Sequence, residues 1–138
     1  MVARAARWLV VASFCWCLGC SVGEPGMAPV SGLLVDQEGK PVAEAALTFY
    51  PSEGRSSVAT TDENGAFTLY YDIGKPGAKV GEHIVTITTN ATAEMPPPGA
   101  PAEAFKKYKP PLTYDIPEKI EVVEGTNDLK IQLPEKPR

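Results

Sequence analysis

The sequence predicts an all-β protein, a single antiparallel Greek-key β-sandwich of about seven strands that follows a cleaved signal peptide. Three observations support this prediction. Short runs of alternating apolar and polar residues recur along the chain, and turn residues separate them. The 14 prolines and 12 glycines leave few stretches with helical periodicity. A short apolar segment stands before this pattern, at the amino terminus.

The amino-terminal segment has the three parts of an export signal. Arg4 and Arg7 precede an apolar run of about eleven residues, Trp8 to Leu18, and small Gly19 follows it. A membrane-spanning helix needs ~20 apolar residues, so this run is too short to span comfortably. Leu18-Gly19-Cys20 is similar to a lipoprotein cleavage site, although Cys17 stands where a larger aliphatic residue is usual. We therefore expect cleavage before Cys20 and acylation of its thiol.

Ordinary signal peptidase cleavage is the alternative, because Cys17 and Gly19 are small enough for a small-x-small rule. Cysteine usage favours acylation. Cys15 and Cys17 leave with the signal, so Cys20 has no partner for an internal disulfide in the mature chain. Two or three acyl chains, palmitate among them, would anchor the protein stably, whereas one chain binds only marginally. The predicted location is a membrane of the cell envelope, and Ser21 in place of an aspartate after the cysteine allows sorting to the outer membrane.

The mature chain is predicted to form one domain. Its 119 residues suit a single hydrophobic core. We assign residues 1–19 to the signal, 20–29 to the lipidated amino terminus and a tether reaching within ~20 Å of the membrane, 30–134 to the sandwich and 135–138 to a short tail. Loss of Arg4 and Arg7 leaves 11 basic and 17 acidic side chains and a net charge of −6, which disfavours nucleic acid as a partner.

The first half of the domain contains four predicted strands. The first has Val30, Gly32 and Leu34 on one face, and residues 36–39 form a turn. The second has Ala45, Leu47 and Phe49 on one face and ends at Pro51. A weak strand at residues 57–61 leads to a hairpin turn at residues 62–65, because Asn-Gly readily accepts positive φ. The fourth strand carries Phe67, Leu69 and Tyr71 on one face.

The second half contains the strongest strand, Val80 to Thr89, with His83, Val85 and Ile87 on its inner face. Two more strands are predicted near the carboxyl end. Ile120 and Val122 alternate in the first, and Leu129, Ile131 and Leu133 alternate in the second. A turn at residues 125–127 joins them.

A proline-bounded segment, residues 94–111, interrupts the strand pattern. Proline has no amide donor, so Pro96-Pro97-Pro98 and Pro110-Pro111 prevent sheet pairing there. Residues 102–108 could form one or two helical turns. The segment is either a solvated connection or a binding loop. If it binds a partner, the candidate interaction residues are Phe105, Lys106, Lys107 and Tyr108.

The sequence predicts no catalytic or metal-binding pattern. His83 is the one histidine, and its strand parity with Val85 predicts that it packs inward. Asp62-x-Asn64-Gly65 resembles part of a calcium loop, but Thr60 and Tyr71 stand where that loop needs acidic residues. A turn capped by Asp62 is the better interpretation. We expect no catalytic residue, cofactor or metal.

The order and spacing of several short motifs resemble the carboxypeptidase regulatory-like domain, a transthyretin-like (prealbumin-like) sandwich. These motifs are Val30-x-Gly32-x-Leu34, Gly39-Lys40-Pro41-Val42, Ala45-x-Leu47-x-Phe49-x-Pro51 and Ala59-x-Thr61-Asp62-x-x-Gly65-x-Phe67. Later, Gly77-Ala78-x-x-Gly81-x-x-x-Val85 continues the match. The proline-rich segment and the closing strand resemble the version in small exported lipoproteins of the planctomycete type. Glu44 departs from the family pattern, in which a glycine is usual.

The resemblance implies a non-catalytic module with a structural or interaction role, in which the partner is an envelope protein or a polysaccharide. Enzymes that share the transthyretin-like fold use several histidines, and this chain has one. The alternative is a small-ligand carrier or solute-binding lipoprotein, which would need a cavity with converging polar groups. Trp8 and Trp16 leave with the signal, so neither can serve as an aromatic platform in the mature chain.

Overall fold

The computed structural model describes residues 25–138, and within them nearly all of the regular secondary structure is β-strand. One helix, α1, spans Ala102–Lys107. The strands are β1 (Met27–Ala28), β2 (Val30–Val35), β3 (Ala46–Pro51), β4 (Ser57–Thr60), β5 (Ala66–Thr68), β6 (Tyr70–Asp72), β7 (Lys75–Pro76), β8 (Ala78–Lys79), β9 (Gly81–Thr89), β10 (Leu112–Asp115), β11 (Ile120–Val122) and β12 (Asn127–Gln132). The predicted all-β class is confirmed.

Two sheets form a sandwich-like arrangement. The larger sheet has the strand order β10-β9-β3-β4-β6-β7, and β11 pairs with β9 beyond the end of β10. The smaller sheet has the order β12-β2-β5, and β1 and β8 form a separate two-stranded ladder. All pairs of strands are antiparallel except β12 and β2, which run parallel from Asn127↔Val30 to Gln132↔Val35. The prediction of an antiparallel sandwich is therefore wrong for this pair, because alternation along a strand does not specify its direction relative to a neighbour.

The core lies between the two sheets, where the predicted alternation buries one face of each main strand. Leu47 and Phe49 on β3 face the same interior as Val85 and Ile87 on β9, and all four are fully buried. The smaller sheet contributes Val30, Leu34, Phe67 and Ile131. Burial of each such side chain stabilises the fold by ~1.5–3 kcal/mol, so packing between the sheets is the main source of stability.

Two turns of the same construction connect strands. Asp36 and Asp62 each accept backbone N–H groups two and four residues later through Oδ1, at 2.9 Å in every case. Each turn closes with a glycine at positive φ, Gly39 (φ 83°) or Gly65 (φ 73°). The predicted cap by Asp62 is confirmed, but the predicted hairpin is wrong, because this turn joins β4 of the larger sheet to β5 of the smaller sheet. Asn64 keeps a negative φ, so the glycine alone supplies the left-handed residue.

The sandwich has two distinct ends. At the N-terminal end, the chain enters the fold where Val80 N donates to Gly26 O at 2.8 Å, and residues 52–56 and 73–74 lie at the same end. At the loop end lie the Asp36 and Asp62 turns and the carboxyl end of β9. Strand β9 runs from one end to the other, a distance of about 27 Å at ~3.4 Å per residue.

The fold begins a little before the predicted boundary at residue 30. Met27 and Ala28 pair with Lys79 and Ala78, and the Ala28 side chain is part of the core. The predicted signal peptide and Cys20 lie outside the described residues. No helix within residues 25–138 is long and apolar enough to cross a membrane.

Candidate functional site

The proline-bounded segment 94–111 projects from the loop end of the sandwich. It follows β9 and precedes β10, and α1 lies within it, as predicted. Two contacts hold its base: Ala91 N donates to Glu44 O at 3.0 Å, and Asn90 Nδ2 donates to Pro110 O at 3.3 Å. No residue of the segment belongs to the buried core of the described chain. The segment is therefore displayed on the sandwich rather than packed within it.

The four predicted interaction residues do not lie together on one surface. Phe105 is 46% exposed on α1. Lys106 Nζ lies 3.0 Å from Glu103 Oε1 on the preceding turn of the same helix. Lys107 and Tyr108, in contrast, both line a cleft between the segment and the loop end of the sandwich. Only these two of the four share a concave surface.

This loop cleft has a volume of about 330 Å³ and opens to solvent. Its lining residues are Glu44, Asn90, Ala93, Glu94, Pro96, Ala104, Lys107, Tyr108 and Lys109. Two carboxylates, of Glu44 and Glu94, and two ammonium groups, of Lys107 and Lys109, surround a partly apolar floor. Within residues 25–138 these four side chains form no ion pair or hydrogen bond with each other. The cleft can therefore offer both signs of charge to a ligand.

Backbone strain marks the rim of the loop cleft. Glu44 (φ 55°) and Asn90 (φ 51°) are the two non-glycine residues with positive φ in the described chain, and both line the cleft. Such a conformation is costly for Glu44, whereas asparagine adopts it more readily than other non-glycine residues, and strained residues concentrate at functional sites. The signal for Glu44 was present in the sequence, since it replaces a glycine of the resembling family. The signal for Asn90 was its residue type, because asparagine tolerates positive φ.

A second depression, which we call the inter-sheet groove, was not predicted. It has a volume of about 720 Å³ and opens to solvent between β4 and β5. Its lining residues are Ser31, Gly32, Val58, Ala59, Thr60, Asp62, Ala66, Phe67, Thr68, Tyr70 and Asp128. These residues come from five strands and one turn, so no local sequence pattern could bring them together.

His83 is a packed core residue, as its strand parity predicted. Its side chain is 1% exposed, and the ring lies 5.8 Å from the Phe49 ring, centroid to centroid, at a tilt of 58°. Nε2 lies 2.6 Å from the Lys79 carbonyl oxygen, so this nitrogen carries the hydrogen and donates it. Nδ1 is buried with no partner in the described chain. The geometry fixes the ring inside the core.

The charged side chains of the described residues lie mostly at the surface, and some of them form exposed ion pairs. Arg55 and Asp72 form an ion pair of 3.0 Å at the N-terminal end. The backbone N–H of Ile73 donates to Asp72, and this bond, with the nearby Arg55 charge, holds the pKa of the Asp72 carboxyl below its usual value. No group of three His, Cys, Asp or Glu side chains in residues 25–138 is arranged to hold a metal ion.

A scan against models of known protein families and a search of curated proteins found no match to this chain.

Proposed function

We propose that this chain is an exported, lipid-anchored module of the cell envelope that acts by binding a protein or polysaccharide and catalyses no reaction. The export signal and Leu18-Gly19-Cys20 support anchoring through acyl chains on Cys20. The order of turn motifs supports a carboxypeptidase regulatory-like domain with the transthyretin-like, Greek-key arrangement of strands. The all-β, sandwich-like fold is compatible with that assignment.

The observation that carries the proposal is the separation of the two ends of the sandwich. The chain joins the fold at Gly26, six residues after Cys20, and it does so at the N-terminal end. An acylated Cys20 would therefore hold that end close to the bilayer, because six residues span at most ~20 Å. The segment 94–111 would then lie about 27 Å farther out, directed away from the membrane.

The segment 94–111 suits a binding role because it presents side chains without being part of the core. Phe105 offers exposed aromatic surface, and the loop cleft adds Lys107 and Tyr108. A rigid sandwich can display such a loop without reorganising its packing. Phe105, Lys106, Lys107 and Tyr108 therefore remain the first residues to test.

The alternative, a carrier of small ligands, has less support. A carrier encloses most of its ligand's surface in a cavity. The loop cleft and the inter-sheet groove are both open to solvent along the described chain. Open depressions suit a polymer or a protein surface better than an enclosed small molecule.

The anchoring is tested by Cys20→Ser in the full chain, expressed in a bacterium with a lipoprotein-processing pathway. We expect the variant to lose membrane association and to accumulate unprocessed, because the thiol is the acylation point. Cys17→Ser is the matched control, and we expect it to fractionate with membranes like the original chain. Fractionation followed by mass spectrometry of the amino terminus measures both. A Cys20→Ser protein that is cleaved like the original chain and still stays with the membranes would rule out the lipid anchor.

A further inference from the structure

The inter-sheet groove exists because two consecutive strands belong to different sheets. Strand β4 pairs with β3 in the larger sheet, whereas β5 pairs with β2 in the smaller one. The tight Asp62 turn joins them, so the two strands diverge beyond it. Ala59 and Phe67, both buried, form the floor between the diverging strands. The result is a trough with an apolar floor, open to solvent.

One wall of the groove is a row of polar side chains across the smaller sheet. Asp128, Ser31 and Thr68 are cross-strand neighbours on β12, β2 and β5. Cross-strand neighbours lie ~5 Å apart, so the row presents a carboxylate and two hydroxyls in sequence. None of these three side chains makes a hydrogen bond or ion pair within residues 25–138. Their hydrogen-bonding capacity is available to a ligand.

The opposite wall combines apolar surface with a hydroxyl. Tyr70 on β6 and Val58 on β4 are cross-strand partners, and both are well exposed, Tyr70 by 42%. Thr60 adds an uncommitted hydroxyl beside them. An exposed tyrosine ring offers a flat apolar face together with a polar edge. This wall can contact the C–H face of a sugar ring.

The charge of the groove excludes one class of polymer. Its lining residues include two aspartates, Asp62 and Asp128, and within the described chain no lysine, arginine or histidine lines it. An anionic polymer would meet repulsion without a compensating cation. A neutral polyhydroxylated chain, in contrast, can donate hydroxyl hydrogens to Asp128 and exchange hydrogen bonds with Ser31 and Thr68.

We propose that the inter-sheet groove binds a neutral polysaccharide chain, with Tyr70 against a sugar face and Asp128 accepting sugar hydroxyls. The trough is open to solvent, so it can admit part of a longer chain. This inference deepens the interaction role proposed above by naming the partner class, and it rests on that role but not on the lipid anchor. It assigns the polysaccharide to the inter-sheet groove rather than to the segment 94–111.

The test is affinity electrophoresis of the full chain in native gels that contain one soluble polysaccharide each. Dextran, mannan and a mixed-linkage β-glucan are the neutral probes, and alginate is the anionic probe. We expect at least one neutral probe to retard the protein and alginate not to. A chain that no neutral probe retards, or that alginate retards equally, would overturn the proposal.

Two tyrosines provide a matched pair of variants. Tyr70→Ala removes the ring in the groove, and we expect the affinity for the neutral probe to fall about tenfold. Tyr50→Ala removes a ring of similar exposure, 48%, that lies on the same sheet outside the groove, and we expect no change in affinity. If Tyr70→Ala does not fold, Tyr70→Leu is the substitute variant, because it removes the ring and keeps an apolar side chain. Equal losses from the two positions would contradict the assignment to the groove.

Two further variants separate this inference from the rest of the proposed function. Asp128→Asn should weaken binding severalfold, because a charged acceptor becomes a neutral amide. Replacement of residues 94–111 by a short Gly/Ser linker should leave binding to the neutral probe unchanged. If the linker variant loses the retardation, the polysaccharide binds at the segment 94–111 instead, and the groove assignment is wrong while the interaction role stands.

Discussion

Gly39 and Gly65 close turns of the same construction, yet their surroundings differ. Both have positive φ, which costs a side-chain-bearing residue ~1–2 kcal/mol. A Cβ on Gly39 would meet nothing within 4 Å. A Cβ on Gly65 would lie 2.6 Å from Leu34 O and 3.0 Å from Pro41 Cβ. Gly39 is therefore required only for its positive φ. Gly65 is required both for its positive φ and for the lack of space for a Cβ.

We expect Gly65→Val to be the more damaging of two matched substitutions. Gly39→Val should lower the melting temperature by roughly 4–8 °C, the effect of ~1–2 kcal/mol in a domain of this size. Gly65→Val should lower it at least twice as far, because the backbone around Leu34 must also move. Thermal unfolding followed by circular dichroism measures both. Equal melting temperatures for the two variants would show that the short distance between a Cβ at position 65 and Leu34 O does not affect stability.

Glu44 has a backbone conformation that is unfavourable for a residue with a Cβ atom. Its φ of 55° is left-handed, and a glycine at this position is usual in the resembling family. We expect Glu44→Gly to stabilise the fold by ~0.5–1 kcal/mol, since relief of ~1–2 kcal/mol of strain exceeds the added chain entropy of glycine. Glu44→Ala keeps a Cβ and is the control, with no gain expected. Urea unfolding measures the difference, and a destabilised Glu44→Gly would mean that the carboxylate itself contributes to stability.

At the scale of elements, the segment 94–111 and the sandwich are nearly independent. The segment's helix, α1, has no buried residue, and the contacts at its base are hydrogen bonds rather than core packing. The turn between β11 and β12 differs because a buried side chain holds it. Asn127 forms hydrogen bonds with Val123 N, Val123 O and Pro29 O.

We expect replacement of residues 94–111 by a short Gly/Ser linker to change the melting temperature by only a few degrees. The physical reason is that little apolar area leaves the core. If the segment is also the binding surface for an envelope protein, the same variant should capture less of that partner in cross-linking. A variant that unfolds would show that the segment belongs to the core, and its role as a binding surface would be withdrawn.

At the scale of the whole molecule, the described chain is stabilised by packing between two sheets. The three cysteines, at positions 15, 17 and 20, lie before the described residues, and no metal-holding group was found within them. The remaining stabilising features are the apolar core and the hydrogen bonds of the sheets.

We expect the chain from Ser21 to Arg138 to fold cooperatively without metal, cofactor or disulfide, and to show no hydrolase or oxygenase activity. EDTA and a thiol reductant should each leave the melting temperature unchanged, because neither a metal nor a disulfide contributes to it. A drop in the melting temperature with EDTA would reveal a metal site and would contradict metal-independent folding, whereas measurable hydrolase or oxygenase activity would contradict the non-catalytic proposal.

The sequence by itself determined the local features of this protein. Period-two alternation located the main strands, as in Leu47 and Phe49 or Val85 and Ile87, because a half-buried strand must place every second side chain in the core. Asp and Gly at fixed spacing located both turns, and prolines located the segment without strands. The inward position of His83 followed from parity alone. Each of these features depends on residues that are close together in the chain.

Only the tertiary structure decided which strands are neighbours and what lies between them. The parallel pairing of β12 with β2, about 100 residues apart, cannot be predicted from the sequence of either strand. Alternation shows which face of a strand is buried but not which strand lies beside it. The loop cleft and the inter-sheet groove follow from such pairings. Asp128, Ser31 and Thr68 form a row only because three distant strands stand side by side. Surfaces assembled from several strands depend on long-range packing, which local sequence patterns do not encode.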